Sequence, residues 1–192
     1  MKNVIIVHGC PSSREKAMDA SDRTYDKHWM PWLKQELESK GIPTKTPLMP
    51  EPWEPVYERF KKEFEKNRVN EDTILIGHSC GGAFLIRWLG DSKAKIAKLL
   101  LVAPWRIPDS RDEARKKYYL FQIDKSIKSR VKEITMYVSD NEAPEGIESV
   151  QIYHKALGGK LVELPGRGHF TFNGMGTNEF PELLEECLKG NA

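Results

Sequence analysis

Residues 73–89 read Thr73-Ile74-Leu75-Ile76-Gly77-His78-Ser79-Cys80-Gly81-Gly82-Ala83-Phe84-Leu85-Ile86-Arg87-Trp88-Leu89. A short apolar run leads into glycines on either side of a serine, and a longer apolar run follows. The first run fits a strand buried on both faces and the second a buried helix. The G-x-S-x-G between them fits a strained strand-to-helix turn that lifts a serine hydroxyl above a parallel sheet. Glycine at 77 and 81 is what a close approach of helix and strand requires. The helix N-terminus beneath Ser79 supplies partial positive charge where an oxyanion develops. The competing reading is a structural turn whose serine only caps the helix. The strand before and the helix after favour the elbow.

Working outward, the 192 residues suit a single domain, 1–192, with enough chain to bury a substantial core. A hydrophobic share of 39% beside a charged share of 30% describes a globular protein with a well-charged surface. The net charge of +2 is too mild to imply nucleic acid. The longest basic cluster, Arg115-Lys116-Lys117, is flanked by Glu113 and two tyrosines and reads as a solvated face. No apolar stretch reaches the length of a membrane span, so no membrane partner is expected. Met1 to Val7 is too short for a signal-peptide core and reads as the first strand. Three cysteines, an odd number without framework spacing, fit a cytoplasmic location. Five histidines show no metal-ligand spacing, and neither a metal nor another cofactor is expected.

In chain order, Val4–Val7 is a buried strand ending in the loop His8-Gly9-Cys10-Pro11-Ser12-Ser13. Trp29, Trp32, Leu33 and Leu37 are spaced helically, with Pro31 near the start and Gly41 past the end. Pro43 and Pro47 restrict 42–50 to a sheet edge. Trp53, Val56, Tyr57, Phe60 and Phe64 mark a second helix before the elbow. Strands at 99–103, 134–138 and 161–163 follow, with a helix at 147–157 and a terminal helix carrying Phe180, Leu183, Leu184, Cys187 and Leu188. This alternation predicts a parallel α/β sheet with right-handed crossovers. Six strands ordered 2-1-3-4-5-6 bring the loop after strand 1 beside the elbow, at the topological switch point, so Cys10 and Ser79 meet there.

A serine hydroxyl needs a base within hydrogen-bond reach. In the elbow arrangement the acid follows the serine and the histidine comes last. Asp140 comes directly after a strand and is the expected acid, with Asp109 and Glu142 as competing positions. Of the two histidines after Asp140, His154 lies on a helical apolar stripe, whereas His169 sits in the loop Gly166-Arg167-Gly168-His169-Phe170 and is the expected base. His8 is expected to shape the first loop and His78 the elbow. His28 either starts a helix or lines the cleft. The oxyanion donors expected are the backbone N–H of Cys80 and that of Cys10, with Ser12 or Ser13 as alternatives to Cys10 because Pro11 has no N–H. Within the aromatic-bearing segment 104–133, Trp105 is a candidate pocket residue, as are His28 and Phe170. Cys10 and Cys80 come within reach of a disulfide if their Cα atoms lie within about 7 Å; a bridge there is expected to distort both donors and to silence the enzyme reversibly.

The chain resembles the YdeN-like family of small α/β-hydrolases, which includes retinoblastoma-binding protein nine. The resemblance runs over nearly the whole length. It rests on His8-Gly9 with Ser12-Ser13, His28-Trp29-Met30-Pro31-Trp32-Leu33, Pro47-Leu48-Met49-Pro50 with Glu51-Pro52-Trp53, Gly77-His78-Ser79, Asp140 with Pro144, and Gly168-His169-Phe170. It implies an α/β-hydrolase fold with a six-stranded, mostly parallel sheet, helices on both faces and little or no lid. It also implies a Ser-Asp-His triad at Ser79, Asp140 and His169. The Leu-x-Cys-x-Glu string tied to retinoblastoma binding is absent from every cysteine here, so that partner is not carried over.

The expected activity is therefore that of a cytoplasmic serine hydrolase cleaving small carboxylic esters through an acyl-enzyme. A thioesterase, amidase or acyltransferase uses the same atoms, and a non-catalytic scaffold binding a ligand or protein partner is the alternative of another class. Acyl length, leaving group and oligomeric state are not legible.

Overall fold

In the computed structural model, which describes residues 2–18, 28–109 and 111–190, six strands form one sheet in the order β2-β1-β3-β4-β5-β6. The strands are β1 (Asn3–Val7), β2 (Thr44–Lys45), β3 (Thr73–His78), β4 (Ile96–Val102), β5 (Val131–Ser139) and β6 (Lys160–Leu164). Among the described residues every pairing is parallel, and the strand order is the expected one. Met1, expected to begin the first strand, lies outside the described residues.

The helices are α1 (Arg14–Met18), α2 (Met30–Ser39), α3 (Tyr57–Phe64), α4 (Cys80–Ser92), α5 (Glu113–Tyr119), α6 (Pro144–Leu157), α7 (Phe172–Met175) and α8 (Pro181–Leu188). Because side chains alternate along a strand, the central strands sort their apolar residues onto two faces. Val4, Ile6, Ile74, Ile76, Leu100 and Val102 pack with Met30, Leu33 and Leu37 of α2 and Leu183 of α8. Ile5, Val7, Leu75, Leu99, Leu101 and Met136 pack on the other face with Phe60 and Phe64 of α3, Phe84 of α4 and Tyr153 of α6. The near-continuous apolar strands read in the sequence are the signature of this two-sided burial.

The 104–133 stretch contributes α5 and a 3-10 turn over Lys125–Ser129. Tyr118 and Tyr119 point into the core, and the Tyr118 hydroxyl donates to the Cys80 carbonyl at 3.2 Å. The segment packs as a crossover rather than closing as a lid.

Candidate active site

The elbow is built by steric exclusion. A Cβ on Gly77 would stand 2.6 Å from Gly82 Cα, and one on Gly81 would stand 2.4 Å from the Val7 carbonyl oxygen. Helix α4 therefore starts in contact with the ends of β1 and β3, which is possible only without side chains there. Ser79 takes φ 53° and ψ −120°, a strained conformation for a side-chain-bearing residue. Its N–H donates to the Val102 carbonyl at 3.0 Å, and its carbonyl accepts from Gly82 and Trp105. The backbone is thus fixed on both sides while Oγ projects from the turn.

That hydroxyl lies 2.9 Å from His169 Nε2. On the other side of the ring, Nδ1–H donates to Glu142 Oε2 at 2.6 Å. Glu142 is buried, and its second oxygen accepts the Ala143 N–H at 2.8 Å. Ser79, His169 and Glu142 form one continuous relay, with the serine and histidine where the sequence predicted them.

The acid is a correction. Asp140 does not reach the imidazole; its Oδ1 accepts the Gly166 N–H at 2.7 Å, and the residue is exposed. Its neighbours do the same work on the same turn. Ser139 Oγ accepts the Arg167 N–H at 2.8 Å, and Asn141 Oδ1 accepts the Gly168 N–H at 2.7 Å. Residues 139–141 thereby satisfy three successive donors of the turn, and the next residue, Glu142, takes the histidine. One signal for this was present in the sequence. A Cβ on Gly146 would stand 2.6 Å from Glu142 Cγ, so a glycine in the first turn of the following helix makes room for a folded-back glutamate. Asp109, the other competitor, is exposed and paired with Arg111 at 3.2 Å.

The histidine loop is clamped from across the site. His78 Nε2–H donates to the His169 carbonyl at 2.8 Å, Trp29 Nε1–H to the Phe170 carbonyl at 3.1 Å, and the Phe172 N–H donates to His28 Nδ1 at 2.9 Å. This explains why a His-Trp pair precedes α2. Two of the candidate pocket residues are corrected accordingly. Phe170 is fully buried and stacks on Phe180 at 5.4 Å, and His28 is buried against the loop backbone. Trp105 meets the His169 ring edge-on at 5.5 Å, supporting the imidazole. A cavity of about 290 Å³ opens at Ser79, lined instead by Cys10, Pro11, Ser12, Lys16, His169 and Thr171 among others. Lys16 had no signal in the sequence beyond its charge.

His8 shapes the first loop as expected. Its Nδ1–H donates to the Gly9 carbonyl at 2.7 Å and its Nε2 accepts the Met49 N–H at 2.9 Å, joining the loop after β1 to the Met-Pro segment. Burial pushes its pKa down to about 4, and burial pushes that of His78 well below the ordinary histidine range. Both are held neutral. His154 is half-buried and bonds to the Gly159 carbonyl rather than to a member of the relay.

Cys10 and Cys80 are joined by a disulfide, their Cα atoms 5.6 Å apart. With the bridge closed, the Ser79 hydroxyl keeps its hydrogen bond to the imidazole. The odd cysteine count resolves into this bridge and one buried thiol, Cys187. Neither the Cys10 nor the Cys80 N–H donates to a described backbone carbonyl outside its own element, and the first N–H groups of α4 have no acceptor within the helix. Among the described residues no cluster of three or more His, Cys, Asp or Glu is placed to hold a metal ion. No helix of the described residues is long and apolar enough to cross a membrane.

A sequence-family model described as serine hydrolase matches residues 18–186. No curated protein matches in sequence. Among solved structures, the ydeN gene product of B. subtilis is similar in fold with a TM-score of 0.81 at 21% identity, covering 97% of this chain and 96% of that one. A YdeN-like hydrolase of Pectobacterium atrosepticum gives 0.64 at 18% identity, covering 97% and 88%. Est1E of Butyrivibrio proteoclasticus, solved with ferulic acid bound, gives 0.61 at 10% identity, covering 96% and 86%.

Proposed function

The chain belongs to the serine hydrolase family, and from that premise we propose that it cleaves small carboxylic esters through an acyl-enzyme on Ser79. The observation that carries the reading is the unbroken relay from Ser79 Oγ through His169 to Glu142, at 2.9 and 2.6 Å. His169 Nε2 takes the hydroxyl proton as Oγ attacks the ester carbonyl. Glu142 holds the imidazole in the tautomer that presents Nε2 as acceptor and stabilises the imidazolium that forms. The N–H groups of Cys80 and Cys10 receive the tetrahedral oxyanion, with the N-terminus of α4 adding its dipole. His169 then returns the proton to the leaving alcohol, and water repeats the sequence to release the acid. A cavity near 290 Å³ supports a small acyl group.

The test is a series of p-nitrophenyl esters graded by acyl length, run beside a matched thioester and amide. Short esters are expected to turn over best. Ser79→Ala is expected to lower kcat by at least about 10³-fold and to abolish fluorophosphonate labelling. Wild-type rates in that variant overturn the proposal, and faster thioester or amide cleavage reassigns the substrate.

A further inference from the structure

We propose that the Cys10–Cys80 bridge is a reversible thiol–disulfide exchange site, reached by small thiols through the substrate cavity, that sets the turnover rate. The inference rests on the acyl-enzyme reading and adds a covalent site to it. The bridge closes 70 residues of separation and joins the two residues whose backbone N–H groups the acyl-enzyme reading assigns to the oxyanion. Its two ends differ. Cys80 is fully buried in the elbow, whereas Cys10 is only partly buried and lines the cavity. The cavity thus approaches the bridge from its Cys10 end, and that is the sulfur assigned here to attack by an entering thiolate.

The exchange runs in two steps. The thiolate attacks Cys10 Sγ, the Sγ–Sγ bond breaks, and its electron pair leaves on Cys80 Sγ, which takes up a proton. A second thiol attacks the mixed disulfide, freeing Cys10 and leaving with the first as a low-molecular-weight disulfide. Two thiols are oxidised and one bridge is reduced; an oxidised small disulfide drives the reverse. Cys187 stays out of the exchange, buried at 0% exposure with its thiol pushed up to about 12 by burial.

The direction of the effect follows from how each donor is held. The Cys80 N–H is fixed by the elbow whether or not the bridge is closed. The Cys10 N–H sits in a loop between β1 and α1, and the bridge is the covalent tie between that loop and the elbow. Opening it leaves one donor in place and loosens the other. Loss of an oxyanion donor costs about 10²–10³-fold in kcat, so loosening one is expected to cost about 3- to 30-fold.

The experiment treats the intact protein with graded dithiothreitol or its oxidised form, then counts thiols after denaturation and measures kcat and KM on p-nitrophenyl acetate. The count should move from one to three of the three cysteines as kcat falls, with KM nearly constant, and oxidation should restore both. Cys80→Ala should have the lower rate and ignore dithiothreitol; the wild-type titration stands if that variant does not fold. Equal kcat at one and three thiols overturns this inference alone, as does a count that stays at three under the oxidant. A melting curve showing the reduced protein unfolded at the assay temperature also overturns it, making the bridge a structural staple. No turnover and no fluorophosphonate labelling in either state overturns the acyl-enzyme reading and this inference with it.

Discussion

At the elbow, Gly77 and Gly81 leave no space for a Cβ, and Ser79 has its position forced on it by backbone against backbone. At the facing rim, Ser139, Asp140, Asn141 and Glu142 reach over to residues 166–169 and hold them with side-chain hydrogen bonds. One side of the site is a steric construction of six consecutive residues, and the other is a pairing between two loops distant in sequence. The first is readable from spacing. The second depends on which neighbouring acceptor finds which donor, and a shift of two residues exchanges a turn cap for the imidazole's acid.

The largest test of this contrast is Glu142→Gln. It is expected to lower kcat by about 10²–10⁴-fold, because an amide no longer stabilises the imidazolium, while the melting temperature changes little. If kcat survives, the rim does not supply the acid as drawn. The two sides should also answer differently to acid. His8 supports the elbow side as a buried neutral ring with a pKa of about 4. Its unfolded value is higher, so unfolding takes up a proton at mildly acidic pH. Its stabilisation is complete above about pH 6.5 and is lost as pH falls toward 4, by about 3 kcal/mol in all. Urea unfolding across that range should be less steeply pH-dependent in His8→Gln than in the wild type. An equal slope assigns the acid sensitivity elsewhere.

Smaller effects come from the clamp. Trp29→Phe keeps the ring contacts with His78 and Phe180 but leaves the Phe170 carbonyl without its donor. It should cost about 1–3 kcal/mol of unfolding free energy, read by urea titration, with a modest fall in kcat. The smallest is Asp140→Asn, which can still accept the Gly166 N–H through its amide oxygen. Activity within about threefold of wild type is expected, and a loss matching that of Glu142→Gln would reverse the assignment of the two acids.

The sheet order, the serine, the histidine and the placement of Cys10 beside the elbow were all legible in the sequence. Each rests on a local pattern: an apolar run, two glycines at fixed spacing, a loop leaving a strand. Asp140 was misassigned because position after β5 is a local criterion satisfied by both acids. What separates them is the run of donors Gly166-Arg167-Gly168 on another strand's loop, and Gly146 clearing space behind Glu142. The roles of His28 and Trp29 were hidden for a similar reason. Their motif was visible, but the backbone groups they bind lie more than 140 residues downstream. Phe170, a candidate for the pocket, instead turns inward, with a φ of 53° at that residue and its ring stacked on Phe180.

Strand β6 delivers the histidine loop, yet among the described residues it pairs with β5 alone and every one of its side chains is exposed or half-buried. The loop it carries takes its alignment from β3, the end of β5 and the start of α2. The outermost strand thus behaves as a tether with loose requirements. Drift in its outward-facing residues is easily absorbed, while a single exchanged ring atom at 28 or 29, in direct contact with the loop, is not.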